Sequence, residues 1–175
     1  MKYRELFDEY VQLLQESTTL RSQLLQIPKG YLVTKKISGK EYTYLQHTTT
    51  GKKKSNYIPA EALPRLRVLL AQREPLIARL EENQKEQARL ESAVKILDTE
   101  LSRTFFYLKQ SADMDALPLS KRETALQFAG AMTALEGLSS QEETKAALHR
   151  WAKGQCRFTD IYMDTLQHYG ITEVT

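Results

Sequence analysis

Leu66, Leu69, Arg73, Leu76, Leu80, Asn83, Gln87, Leu90, Val94, Leu97, Leu101, Thr104 and Leu108 recur in alternating steps of three and four, without a slip, through the segment 60–110. That spacing sets one narrow stripe along one side of a helix, the pattern of a coiled-coil seam. Between the stripe positions the chain is charged and helix-favouring, as in Leu80-Glu81-Glu82-Asn83-Gln84-Lys85-Glu86-Gln87-Ala88-Arg89-Leu90. At about 1.5 Å of rise per residue, such a rod would be on the order of 75 Å long. A rod of that length cannot bury its seam alone. It needs a partner helix from the same chain or a second copy, so a homodimer through the heptads stands beside an internal hairpin. Arg73, Asn83 and Gln87 occupy seam positions where leucine would stabilise more; polar seam residues lower stability and can fix register. Pro64 lies where a first-turn proline is tolerated. Pro75, inside the run, should kink the helix or divide it in two. The segment carries no chemistry of its own and reads as scaffold.

Before it, residues 3–26 read as a second helix, with Leu6, Tyr10, Leu13, Ser17, Leu20, Leu24 and Ile27 again spaced by four and three. This is the obvious partner for the long seam. Pro28-Lys29-Gly30 stops it.

The stretch between the two helices changes character. Tyr31-Leu32-Val33-Thr34-Lys35-Lys36-Ile37 is β-branched and aromatic, and Ser38-Gly39-Lys40 is turn material. Tyr42-Thr43-Tyr44-Leu45-Gln46-His47 resumes with strand formers, Thr50-Gly51-Lys52 turns again, and Lys53-Lys54-Ser55-Asn56-Tyr57-Ile58 forms a third short strand before Pro59. The expectation is a three-stranded antiparallel meander over about 31–58, which should pack on a helix, since three strands are about the minimum for independent stability.

Charge is concentrated in the meander. The chain has 175 residues and a formal charge of only +3. Yet Lys29, Lys35, Lys36, Lys40, Lys52, Lys53 and Lys54 meet a single acid, Glu41, between Pro28 and Pro59, with Tyr31, Tyr42, Tyr44 and Tyr57 interleaved. Lysines beside exposed aromatics can hold a phosphate backbone and stack bases. The seven lysines with Tyr42 and Tyr44 are therefore a candidate nucleic-acid-binding set. The alternative is that the tyrosines pack the sheet on the helices and the lysines protect its edges.

Other function classes recede. No apolar run reaches the eighteen or so residues of a membrane span, and the N-terminal residues lack a signal peptide's apolar core. Cys156 is the sole cysteine. It reads as a small packed residue in a reducing, cytoplasmic setting. His47, His149 and His168 are scattered, without metal spacing. No nucleophile has a base beside it, so neither an enzyme nor a cofactor is expected.

Past the rod, Phe105, Phe106 and Tyr107 point around the helix and should mark its entry into a second core. Residues 111–119, with Asp113, Asp115 and Pro118, read as a linker. Ser120 with Glu123 forms a capping box for a helix rich in small residues through Leu135, ended by Gly137. Ser140 with Glu143 opens another helix through Trp151, ended by Gly154, and Thr159 opens a last one through His168, ended by Gly170.

Two resemblances follow from these motifs. Ile27-Pro28-Lys29-Gly30-Tyr31, Lys35-Lys36-Ile37-Ser38-Gly39-Lys40-Glu41-Tyr42-Thr43-Tyr44-Leu45-Gln46 and Gly51-Lys52-Lys53-Lys54-Ser55-Asn56-Tyr57-Ile58 resemble a small lysine- and tyrosine-rich module of bacterial proteins, one that often accompanies Fic domains. Further on, Ala129-Gly130-Ala131-Met132-Thr133-Ala134-Leu135-Glu136-Gly137-Leu138, then Glu143-Thr144, Arg150-Trp151, Lys153-Gly154 and Asp160-Ile161-Tyr162 are similar in order to the VbhA-like antitoxin domain of Fic toxin–antitoxin systems. That resemblance implies an inhibitory helix whose glutamate, here Glu136, enters a transferase's nucleotide site and pairs with the arginine that would grip the γ-phosphate. A carboxylate matches the two-pronged geometry by which arginine holds phosphate. Gly137 would let the helix end against the partner, and Leu135 and Leu138 would anchor it. The family's serine or threonine four residues before the glutamate is Met132 here, with Thr133 one residue late.

The expected architecture is mainly α with a small antiparallel sheet. Residues 1–110 form a helical hairpin carrying the meander, 111–119 a linker, and 120–175 a three-helix module. The expected function is a non-catalytic, antitoxin-like inhibitor of a bacterial partner protein, a toxin or a nuclease. The alternatives are a nucleic-acid-binding regulator working through the basic meander and a phage-type inhibitor of a defence nuclease, of the anti-CRISPR kind.

Overall fold

A computed structural model describes residues 3–135 and 141–168, except the side chain of Thr133. The elements run α1 (Arg4–Gln26), β1 (Tyr31–Ile37), β2 (Lys40–Thr49), β3 (Lys52–Ile58), α2 (Leu63–Leu97), α3 (Thr99–Asp115), α4 (Leu119–Leu135), α5 (Glu142–Ala152) and α6 (Phe158–His168). The protein is mainly helical with one small antiparallel sheet, as the periodicities require. Its compact units do not follow the expected boundaries. One unit comprises Leu20–Glu82; the other comprises Met1–Thr19 together with Asn83–Thr175. Both α1 and α2 contribute to each.

In the larger unit the two seams meet within the chain. Phe7, Tyr10 and Leu14 of α1 pack with Leu90 and Val94 of α2 and with Leu101, Phe105, Leu108 and Ala112 of α3. The Tyr10 ring stacks on Phe105 at 3.9 Å between centroids, and its hydroxyl donates to Glu91 Oε1 at 2.7 Å. Burial and that carboxylate push the Tyr10 phenol well above its ordinary value. The buried Asn83 Nδ2 has no hydrogen-bond partner among the described residues, but another polar seam residue has its partners: Gln87 Nε2 donates to the Leu13 carbonyl at 3.1 Å and to Ser17 Oγ at 2.8 Å. A register shift of α1 would strand these buried groups, which is how a polar pair specifies alignment.

The rod is not continuous. Asp98 leaves helical geometry at φ −160° and ψ 117°, and its carboxylate accepts from the Leu101 amide at 2.9 Å, capping α3. Leu97, a seam position by spacing, is exposed beside this break. Pro75, by contrast, does not divide α2, which runs through it. Phe105 is buried, but in the same core as the α1 and α2 seams rather than in a second one, and Phe106 and Tyr107 are exposed.

The linker expected at 111–119 is instead the last turn of α3 followed by three residues, 116–118. Ser111, Ala112 and Asp115 are all buried. Asp115 accepts from the Phe158 amide at 2.5 Å, the Thr159 amide at 3.0 Å and Thr159 Oγ1 at 2.7 Å. The cap of α6 therefore comes from the end of α3, not from Thr159 alone. Helix α4 begins at Leu119, with the Lys121 amide bonded to the Pro118 carbonyl, so Ser120 sits inside its first turn rather than capping it. Arg122 joins the helix ends. It donates to the carbonyls of Asp115 (2.6 Å), Leu117 (3.1 Å) and Trp151 (3.1 Å), and lies 5.2 Å from the centre of the buried Trp151 ring. Gly154, at φ +74°, closes α5 as expected. The proposed cap Ser140 and the stops Gly137 and Gly170 lie outside the described residues.

The smaller unit holds the sheet, in order β1-β2-β3. Both hairpin loops have two residues at positive φ, Ser38 (51°) with Gly39 (81°) and Thr50 (49°) with Gly51 (77°). This is the turn geometry that matches strand twist. Gly30, at φ +128°, approaches the Gln46 carbonyl so closely that any Cβ there would collide with it. Glycine is thus what lets β1 enter beside β2. Arg73 Nη1 donates to the Leu24 and Ile27 carbonyls at 3.3 Å each, satisfying the end of α1. Its place in the seam follows from that bond.

Candidate nucleic-acid interface

Register decides what the sheet presents. Val33, Tyr44 and Tyr57 stand in one row across the three strands, Lys35 pairs with Tyr42, Ile37 with Lys40, and Thr48 with Lys53. Because side chains alternate in direction, these residues share a face. Leu32, Leu45 and Asn56 form the adjacent row and point the other way, with Thr34, Thr43 and Ile58, and with Lys36 opposite Glu41. Leu45 is the buried strand residue among those described, so its face is the inner one.

The outer face is therefore a surface of Tyr31, Tyr42, Tyr44 and Tyr57 with Lys35, Lys40 and Lys53. The Tyr57 ring meets Tyr42 at 6.0 Å and Tyr44 at 5.9 Å, both edge to face. Lys35 Nζ lies 5.2 Å from the centre of the Tyr44 ring, a favourable seat for an ammonium. Tyr31 is 57% exposed and Tyr57 54%. Glu41, the one strand acid, is on the opposite face. The outer face thus carries three ammonium groups and no strand carboxylate.

The sequence-derived lysine set divides. Lys35, Lys40 and Lys53 join Tyr42 and Tyr44 on the outer face. Lys36, Lys52 and Lys54 lie on the other face, Lys36 across from Glu41 and Lys54 across from His47. Lys29 is exposed in the connection between α1 and β1. Tyr57 and Tyr31, the most exposed rings of the sheet, were legible only as interleaved aromatics; their place beside Tyr42 and Tyr44 depends on both turns having two residues.

In α4, Leu135 is 81% exposed, and Phe128 and Met132, at 68% and 43%, share its side of the helix. Thr133 belongs to α4. Glu136, Gly137 and Leu138 lie outside the described residues. Cys156 is half-buried, its Sγ 3.6 Å from the Ala147 carbonyl. Among the described residues no cluster of His, Cys, Asp and Glu could hold a metal ion, and no helix is long and apolar enough to cross a membrane.

The chain is similar to one family: the model described as "Domain of unknown function (DUF6788)" matches residues 3–68. The match takes in α1, the whole sheet and the first turns of α2, less than half of the chain. No curated protein and no solved structure matches it.

Proposed function

We propose that this is a non-catalytic binding protein whose sheet holds nucleic acid through its backbone phosphates. The observation that supports this is the sorting of charge by register: the outer face gathers Lys35, Lys40 and Lys53 while Glu41 is turned away. Each neutralised phosphate releases condensed counterions, so log K should fall with log salt by about 0.7–0.9 per lysine engaged. Fluorescence anisotropy with labelled oligonucleotides over a salt series should give a slope of about −2 to −3. Replacing Lys35, Lys40 and Lys53 together by alanine should flatten it. The matching Lys36, Lys52 and Lys54 triple should retain most of it. Wild-type binding that ignores salt would remove this reading.

A second reading rests on α4. Phe128, Met132 and Leu135 present a large apolar stripe to solvent, of the kind that docks on another protein, and Glu136 is the next residue in sequence. With the antitoxin resemblance, this supports obstruction of a Fic-type AMP transferase. The partner-contacting residues would be Thr133, Leu135, Glu136, Gly137 and Leu138. Co-expression with such a toxin tests it: Glu136→Ala should abolish protection, and unchanged protection would take Glu136 out of the mechanism.

A further inference from the structure

We infer that the outer sheet face takes single-stranded nucleic acid and stacks unpaired bases on its tyrosines, with Tyr57 and Tyr31 as the platforms. This rests on the nucleic-acid reading above and narrows it. In a duplex the faces of the bases are stacked on one another and only edges reach the grooves. A tyrosine ring has nothing to stack on there. Edge readers in a groove are arginine, lysine, asparagine and glutamine, of which the planar guanidinium and amide groups give a fixed two-point match to base edges. Between Pro28 and Pro59 there is no arginine, and Gln46 is the one amide on the outer face.

What the face does offer suits a splayed strand. Val33, Tyr44 and Tyr57 form one row, Tyr31, Gln46 and Ser55 the next. Alternate rows on one face are about 6–7 Å apart along the strands, so Tyr31 and Tyr57 are separated both along and across the sheet. Tyr57 meets Tyr42 and Tyr44 edge to face and is still 54% exposed. Lys35, Lys40 and Lys53 lie around this cluster, where a strand whose bases sit on the rings would place its phosphates. Sheet faces with aromatic platforms and flanking cations hold single strands in this way, with little dependence on base identity.

The test uses the full chain and two probes, a labelled oligothymidylate of about 15 nucleotides and its duplex with oligoadenylate, at one salt concentration. The single strand should bind at least about tenfold more tightly. Tyr57→Ala should weaken it by about 5- to 150-fold per stacked base lost, while Tyr57→Phe, which keeps the ring, should bind as wild type. The salt slope should be unchanged in both, since no lysine is lost. Inorganic polyphosphate, which has charge but no bases, should bind wild type and Tyr57→Ala alike. Tyr31→Ala is the companion variant, because Tyr31 braces no other ring in the cluster and its loss leaves the Tyr42–Tyr57–Tyr44 contacts intact. Duplex binding equal to or tighter than single-strand binding, or single-strand affinity unmoved by both alanine variants, overturns the inference and leaves phosphate binding standing. Absence of salt-dependent binding to either probe overturns both.

Discussion

Asp115 is the residue whose role is largest relative to its signal. Its carboxylate holds two amides and a hydroxyl of the α6 start, and the residue is buried. An ionised acceptor at a helix N-terminus also meets the positive end of the helix dipole. Asp115→Ala leaves those donors without a partner and should lower stability by about 2–4 kcal/mol, read as a shift in the urea midpoint. Asp115→Asn should cost less, since asparagine also caps. Nothing local announced this, because the partners lie 43 and 44 residues away. Tyr10 carries the clearest titration. Its folded-state phenol titrates above the ordinary value of 10.0, so folding favours the protonated form. The stabilisation is complete below pH 10.0 and declines as pH rises from there toward the folded-state value. Unfolding free energy measured at rising alkaline pH should fall in wild type more steeply than in Tyr10→Phe.

At the scale of elements, much of the local chemistry was legible. Both glycine turns, the three strands and most helix limits follow from residues within a turn of each other. The break at Asp98 was also written locally, in an aspartate three residues before Leu101, but a heptad count spans such a cap without noticing it. Asp98→Ala should therefore cost about 1 kcal/mol through the lost cap. Pro75 is the reverse case. Its missing N–H and ring oppose helix, yet α2 continues through it, with Arg73 two residues earlier bonded to the end of α1. Pro75→Ala should stabilise the protein by about 1–3 kcal/mol in chemical denaturation. No gain would mean that the unfolded-state stiffness lent by proline offsets the strain.

For the whole molecule, the two units differ in what they bury. The larger has a cluster from Phe7 to Ala112, whereas the smaller buries Leu20, Ile27 and Leu45. Local opening free energies follow buried apolar contact. Native-state hydrogen exchange should find the strand amides, Leu45 included, opening at lower free energy than those of Val94 and Leu108. Equal protection in both would show one cooperative unit. The candidate interface belongs to the unit with the smaller core, where ligand binding should raise protection in the strands by mass action. The unit boundaries at Leu20 and Glu82 cut through two helices that periodicity reads as uninterrupted. Compactness depends on which faces find a core, and helical spacing does not encode that.

By itself the sequence determined the periods, the strand segments and the glycine-bearing turns between them, each settled by steric and hydrogen-bonding preferences over a few residues. The pairing register, which sorts the tyrosines and lysines by face, rests on both turns having two residues. The tertiary structure alone decided which of the two faces is buried, that Asp115 caps a helix more than forty residues on, and that Arg73 and Gln87 satisfy carbonyls of α1. Those outcomes need groups distant in the chain to meet. The free energy of a buried polar group depends on the partner it finds there, which no stretch of sequence states.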